Sequence, residues 1–192
     1  MQQGRAVHLN LCRRFALWAC FLSGISEEQK LKMSLRTDDR RRRLILEATA
    51  TQCDYSSLVR VMHRGPKIRG TERNQHKFFD KSVGDVYRCV LLALAADPPS
   101  TDFPWAELTT RISKVCVDKT PVGSSYREAC RQIASFALTM FPTQRIIEWD
   151  EESEVETLTI VDPYFLFYLR SSNKLAELGQ QQAPVSQLSL FR

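Results

Sequence analysis

Thr157-Leu-Thr-Ile-Val-Asp-Pro-Tyr-Phe-Leu-Phe-Tyr-Leu-Arg170 decides how the chain is read, because it ends a strand, turns at Asp162-Pro163 and restarts as an aromatic helix. Such a joint orders everything before it. Working backwards, Arg145-Ile-Ile-Glu-Trp149 and Thr157-Leu-Thr-Ile-Val161 are two apolar runs separated by a polar, charged turn, which is the pattern of a β-hairpin.

Three segments with a 3.6-residue apolar period precede that hairpin. From Ser82 to Ala96 the stripe is Val83, Val86, Tyr87, Val90, Leu91 and Leu94, closed by Asp97-Pro98-Pro99. A second helix is expected to start at Asp102-Phe-Pro104, with an acidic cap and a proline in its first turn, and to run through Leu108, Ile112 and Val115. The third carries Ser125-Tyr-Arg-Glu128, which fits a capping box, with Gly123 freeing the preceding turn. Its inward stripe reads Tyr126, Cys130, Ile133, Phe136/Ala137 and Met140, and Pro142 stops it. Strand anywhere in 83–95 or 126–140 would contradict these assignments. Three helices and then a hairpin is the order of a winged helix, so the expected fold is mainly α with a small β-hairpin, preceded by an N-terminal helical segment.

Residues 80–172 resemble the C-terminal winged-helix domain behind the ATPase core of archaeal-type AAA and STAND-like P-loop ATPases. There the wing strand commonly leads into a D-P-x-aromatic-x-x-Y-L-R pattern, matched here by Asp162, Pro163, Phe165, Tyr168, Leu169 and Arg170. The resemblance covers about half the chain, and the ATPase core itself is missing from it. It implies a domain that packs on an ATPase core and transmits its nucleotide state, with this motif at the docking surface together with Tyr164 and Phe167. A plainer reading makes Asp162-Pro163 an ordinary strand-to-helix turn and the aromatics core. Gly4-x-x-Val7-His8-Leu9 weakly resembles the start of the helical lid that precedes the winged helix in those ATPases.

With 192 residues and 43% hydrophobic content, the chain can bury one good core and a smaller satellite. The expected division is a basic, helical N-terminal segment over 1–63, a basic linker over 64–79, the winged helix over 80–172, and a flexible tail over 173–192. The N-terminal segment holds Phe15-Ala-Leu-Trp-Ala-Cys-Phe-Leu22 behind Arg13-Arg14. That run is too short to span a bilayer and lacks a small-x-small cleavage site, so it reads as a buried helix with Leu11, Phe15, Trp18/Ala19 and Leu22 on one face. Further helices are expected from Thr37-Asp38-Asp39, with Leu44, Ile45 and Ala48 inward, and from Tyr55 to Met62. The six cysteines form no C-x-x-C pair, and Cys89, Cys116 and Cys130 fall on or beside apolar stripes, which points to buried thiols in a reducing, cytoplasmic setting.

Charge divides the chain unevenly. Residues 1–78 carry 16 Lys and Arg against 7 Asp and Glu, while 79–192 carry 11 against 15, so the basic character belongs to the N-terminal part. Arg40, Arg41, Arg42 and Arg43 are the strongest basic run, readable as phosphate contacts or as the solvated start of a helix. Lys67 and Arg69 add to it from the linker. On the third helix of the winged-helix region, Arg127 and Arg131 are one turn apart, where a recognition helix would approach base edges. Against DNA stands the hairpin turn Asp150-Glu-Glu-Ser-Glu154, since acidic tips repel phosphate.

Enzymatic chemistry finds little support. Gly65-Pro-Lys-Ile-Arg-Gly70-Thr71 has P-loop glycine spacing but lacks the lysine after the second glycine. His8, His63 and His76 have no metal-ligand spacing, and no nucleophile has a base at recognisable spacing. The expectation is a non-catalytic interaction and regulatory module with no cofactor, metal or membrane, whose partner is an ATPase core or another protein. The alternative is a transcriptional regulator that binds double-stranded DNA through the helix over 124–141 and the basic N-terminal half.

Overall fold

In a computed structural model of the chain, described over residues 12–19, 39–67, 70 and 72–181, short helices surround one core and carry two small antiparallel sheets. Residues 12–19 form α1. Then follow α2 (Asp39–Ala50), α3 (Ser56–Arg64), β1 (His76–Lys77), β2 (Val83–Gly84), α4 (Val86–Ala95), β3 (Asp102–Pro104), α5 (Trp105–Val115), α6 (Gly123–Met140), β4 (Ile147–Asp150), β5 (Thr157–Ile160), α7 (Pro163–Ser171) and α8 (Lys174–Gln181). Of the N-terminal apolar face, Phe15 and Trp18 are half-buried and Ala19 is buried, while Leu11 and Leu22 lie outside the described residues.

Three helix starts differ from the sequence reading, at α4, α5 and α6. Expected from Ser82, α4 begins at Val86, because the Asp85 carboxylate accepts the Tyr87 and Arg88 backbone N–H groups at 3.0 and 3.4 Å. Val83 and Gly84 instead pair with Lys77 and His76, so the condition that 83–95 be free of strand fails at its first two positions. Asp102-Phe-Pro104 opens no helix. It is β3, antiparallel to β5 with Phe103 opposite Leu158, both fully buried. Burying Phe103 in that register wins over an Asp102 cap, and α5 starts at Trp105. The capping box does not form either: α6 starts at Gly123, Ser125 lies inside it, and the Glu128 carboxylate serves Arg131 and Gln132. Met140, expected inward, is exposed, whereas Tyr126, Cys130, Ile133 and Ala137 are buried. Leu44 on α2 also faces solvent, and Ile45 alone of the expected three is fully buried there.

The hairpin over β4 and β5 forms in the register Ile147↔Ile160 and Trp149↔Leu158. With β3 it makes a three-stranded sheet of order β3-β5-β4. Asp162 then caps α7, accepting Tyr164 N–H at 2.8 Å, with Pro163 in the first turn, where its missing N–H costs nothing.

The 64–79 segment does not separate two cores. Ala50, Tyr55, Leu58, Val59 and Met62 belong to the same buried cluster as Leu91, Ile133, Phe165 and Leu178. β1 falls inside the expected linker, and the tail expected from 173 onward begins as α8, which buries Leu175 and Leu178. Gly179 on α8 has no room for a side chain, since a Cβ there would strike the Arg88 guanidinium.

Candidate functional site

Two regions singled out in the sequence can be followed to their atoms: the α7 motif and the outer face of α6 with the hairpin beside it.

The α7 motif turns inward. Phe165, Tyr168 and Leu169 are buried, and Tyr164 and Phe167 pack half-buried against the same cluster. Asp162 is itself buried and uses both carboxylate oxygens: one caps α7, and the other accepts the Tyr55 hydroxyl and Gln144 Nε2, the latter at 2.6 Å. Tyr55 lies edge-on to Phe165 and Tyr168, at 5.5 and 6.0 Å between centroids. Its burial and the Asp162 contact push the Tyr55 phenol well above its ordinary pKa. Arg170 ends the motif by donating to the Ala95 and Ala96 carbonyls at 2.8 and 2.9 Å and pairing with Asp97 at 2.5 Å, so it caps the C-terminus of α4. Each motif side chain thus has a partner within this chain.

The α6 face is polar and internally paired. Arg127 lies over the Trp105 ring at 4.5 Å, and its Nε and Nη2 are 3.0 and 2.9 Å from Glu156 Oε2. Trp105 stacks on Tyr126 at 4.6 Å and meets Trp149 edge-on at 6.1 Å, which fixes the root of the hairpin against α6. Arg131 forms ion pairs with Glu128 and, at 2.6 Å, with Glu151 in the hairpin turn. The Glu151 carboxylate, and after it Glu128, hold the Arg131 guanidinium pKa above its usual value, and the bond from Arg131 holds the Glu151 carboxyl below its own. Both candidate base readers are therefore occupied by acids, three of the four contacts crossing to the hairpin strand or its turn.

The other basic candidates are dispersed. Arg40, Arg41, Arg42 and Arg43 are exposed in the first turn and a half of α2, with Arg43 Nε reaching the Asp39 carbonyl at 3.4 Å. Lys67 is exposed beside Gly65, and Arg69 lies outside the described residues. At Gly65, whose φ is +65°, a Cβ would collide with the Tyr87 ring, so the glycine is needed there for packing; residues 68, 69 and 71 of the loop lie outside the described residues.

Sequence reasoning passed over a buried charge cluster under α8. Arg88 is fully buried within apolar α4. It donates to Asp80 and the Leu175 carbonyl at 2.8 Å each, and to Ser82 Oγ at 2.8 Å. Its Nη1 lies 3.4 Å from His63 Nε2, and since guanidinium only donates, that nitrogen accepts and the ring is the Nδ1–H tautomer. Burial first, and Arg88 second, lower the His63 pKa to about 4. One arginine in the middle of Val86-Tyr-Arg-Cys-Val-Leu91 was the available signal. Arg73 makes a comparable staple, donating at 2.7 Å to Asp85 and 2.8 Å to the Arg64 carbonyl while lying over Tyr87.

Beside it, a groove of about 850 Å³ runs between residues 72–76, the start of α4, the loop over 118–122 and the first turns of α6. Charges of both signs line it, among them Glu72, Arg73, Lys119 and Glu128, and His76 Nδ1 is already bonded to the Lys119 carbonyl at 2.8 Å. Cys89 and Cys116 meet in the core with sulfurs 3.4 Å apart, both buried, and burial raises both thiol pKa values. Cys130 is likewise pushed up to about 12 by burial. These thiols are protonated and behave as apolar packing. Among the described residues, no three His, Cys, Asp or Glu side chains gather to hold a metal ion, and no helix is long and apolar enough to cross a membrane. Comparison with protein-family models, with curated proteins and with solved structures finds no match to this chain.

Proposed function

We propose that residues 80–172 form a winged helix acting as a non-catalytic, cytoplasmic interaction and regulatory module, like the C-terminal domain of an AAA or STAND-like ATPase. The element order α4-β3-α5-α6-β4-β5, with the sheet ordered β3-β5-β4, supports the winged-helix reading. In such a fold α6 stands where a recognition helix would be and the β4–β5 turn where the wing would be. The observation that carries the interaction reading is the pairing of Arg127 with Glu156 and of Arg131 with Glu128 and Glu151. A DNA-reading face needs free cations, because released counterions supply most of the affinity; here the cations are neutralised within the chain. The partner is an ATPase core or another protein, and the chain itself carries no nucleotide chemistry.

The second reading, binding of double-stranded DNA, is favoured by the exposed Arg40 to Arg43 turn. Fluorescence anisotropy on random and fixed-sequence duplexes at two salt concentrations separates the two. The interaction module gives weak, sequence-indifferent binding that salt abolishes and that loss of Arg127 and Arg131 leaves unchanged. Sequence-selective binding weakened by about 1–3 kcal/mol in Arg127→Ala would establish the second reading instead.

A further inference from the structure

The smaller sheet has a third, one-bridge neighbour. β1 pairs with β2 on one side, and on the other Phe78 bridges Cys116, Val117 N–H donates to the Lys77 carbonyl at 2.8 Å, and Phe79 N–H to the Val115 carbonyl at 3.1 Å. Strand alternation sends His76, Phe78 and Cys116 inward and turns Lys77, Phe79 and Val117 outward. Phe79 is 69% exposed and Val117 55%; the bridge sets Phe79 opposite Val115 and Val117 opposite Lys77, so the two exposed apolar side chains lie diagonally on the outward face. Lys77, Lys81, Lys114 and Lys119 are all exposed on these segments or the adjoining last turn of α5, and none has an ion-pair partner among the described residues. Of the acids nearby, Asp80 is paired with Arg88, while Asp118 accepts the Lys77 backbone N–H and keeps its charge, leaving the lysines in excess.

The complementary surface lies on the same chain. In the β4–β5 turn, Glu152 and Glu154 are exposed without an ion-pair partner among the described residues, beside Val155, which is 55% exposed. That turn sits at the start of α5, where Trp105 N–H donates to the Glu156 carbonyl at 2.8 Å, whereas the Phe79 platform sits at the end of α5. An α-helix rises about 1.5 Å per residue, so α5 holds the two surfaces roughly 16 Å apart and the turn does not reach the platform of its own molecule.

We propose that the Phe79–Val117 platform is the docking site for the acidic β4–β5 turn of a second copy of this chain, Val155 packing on Phe79 and Val117 while Glu152 and Glu154 face Lys77 and Lys119. The contact joins unlike surfaces, so it is head-to-tail: a docked pair keeps one platform free on one copy and one turn free on the other, and association continues from copy to copy or closes into a ring. A contact of this size, resting on charge pairs at a wet rim, is weak and salt-sensitive. The inference does not depend on the proposed function.

Sedimentation velocity over a concentration series tests it. The wild-type chain should gain mass with concentration at about 0.05 M salt and return to monomer at about 0.5 M, where the screening length falls to a few ångströms. Phe79→Asp, which destroys the platform, and the pair Glu152→Lys, Glu154→Lys, which destroys the turn, should each be monomeric. Mixed together they should form a one-to-one dimer, because each supplies the surface the other lacks. All three positions are exposed, so melting temperatures should stay near that of the wild type. Monomer at every concentration and salt, association that survives either variant, or a mixture that stays monomeric overturns the proposal.

Discussion

The α7 motif, an aromatic helix opened by Asp162-Pro163, and the α6 face, with two arginines one turn apart, differ in where their polar partners lie. In α7 the polar atoms of Asp162 and Arg170 are directed at Tyr55, Gln144 and the end of α4, and the aromatics between them are core. On α6 the arginines reach the hairpin across a half-exposed surface. The lesson is that a charged residue's partner, and the burial of that partner, decide whether it maintains the fold or is available for something else. Asp162 is buried and engaged on both oxygens, so losing it leaves the Tyr55 hydroxyl, Gln144 and the first turn of α7 without their acceptor. Arg127 and Glu156 form a half-exposed pair, whose loss costs less than that of the buried Asp162 contacts.

Three measurements break or sharpen that contrast. The largest effect is expected at the inward side. Phe165 is fully buried in the cluster that joins α3 to α7, so Phe165→Ala should cost about 3–5 kcal/mol in urea unfolding. A loss under about 1 kcal/mol would mean that α7 does not belong to the core.

The second measurement uses acid. His63 is buried and neutral beside Arg88, with its pKa lowered to about 4 from 6.5. Below pH 6.5 the unfolded chain takes up a proton that the folded chain refuses. His63 therefore contributes its full share of stability above that pH, and the share is lost as pH falls towards 4, by up to about 3 kcal/mol. His63→Gln, which keeps an acceptor for Arg88, should flatten the stability profile in that window. An unchanged slope would remove His63 from the account.

The smallest effect is expected on α6. A double-mutant cycle between Arg127 and Glu156 should give a coupling of about 0.5–1 kcal/mol, as for other partly exposed pairs. Coupling above about 2 kcal/mol would place this pair with the buried network instead.

How much of this was legible beforehand follows from the range of the forces involved. The α7 cap at Asp162-Pro163, the hairpin strands and the buried stripe of α6 are set by local spacing, and the sequence carries them openly. Asp102-Phe-Pro104 has the composition of a helix start, but its neighbour in space is β5, more than fifty residues away, and that pairing overrides the local preference. Ser125 lost its capping role to a start two residues earlier. The site arginines were found by charge and spacing alone. Their partners Glu151 and Glu156 could not be, since only the folded hairpin brings them alongside α6. Arg88 was visible as an oddity in an apolar helix, without any local hint that Asp80, His63 and the Leu175 carbonyl would surround it.

The Asp162 junction also sets a timetable. Its bond to Tyr55 links residues 107 positions apart, and Gln144 joins the same carboxylate from 18 positions away. A ribosome delivers Tyr55 long before Asp162, so during synthesis α3 can meet α4 and α6 while the Tyr55 hydroxyl still waits for its carboxylate partner. Long-range closures of this kind slow folding, because the intervening chain must be ordered before the contact repays it. The packing of α2 and α3 is therefore completed only by α7 and α8, and a chain interrupted before Asp162 leaves Tyr55 without its carboxylate partner and without the Phe165 and Tyr168 rings.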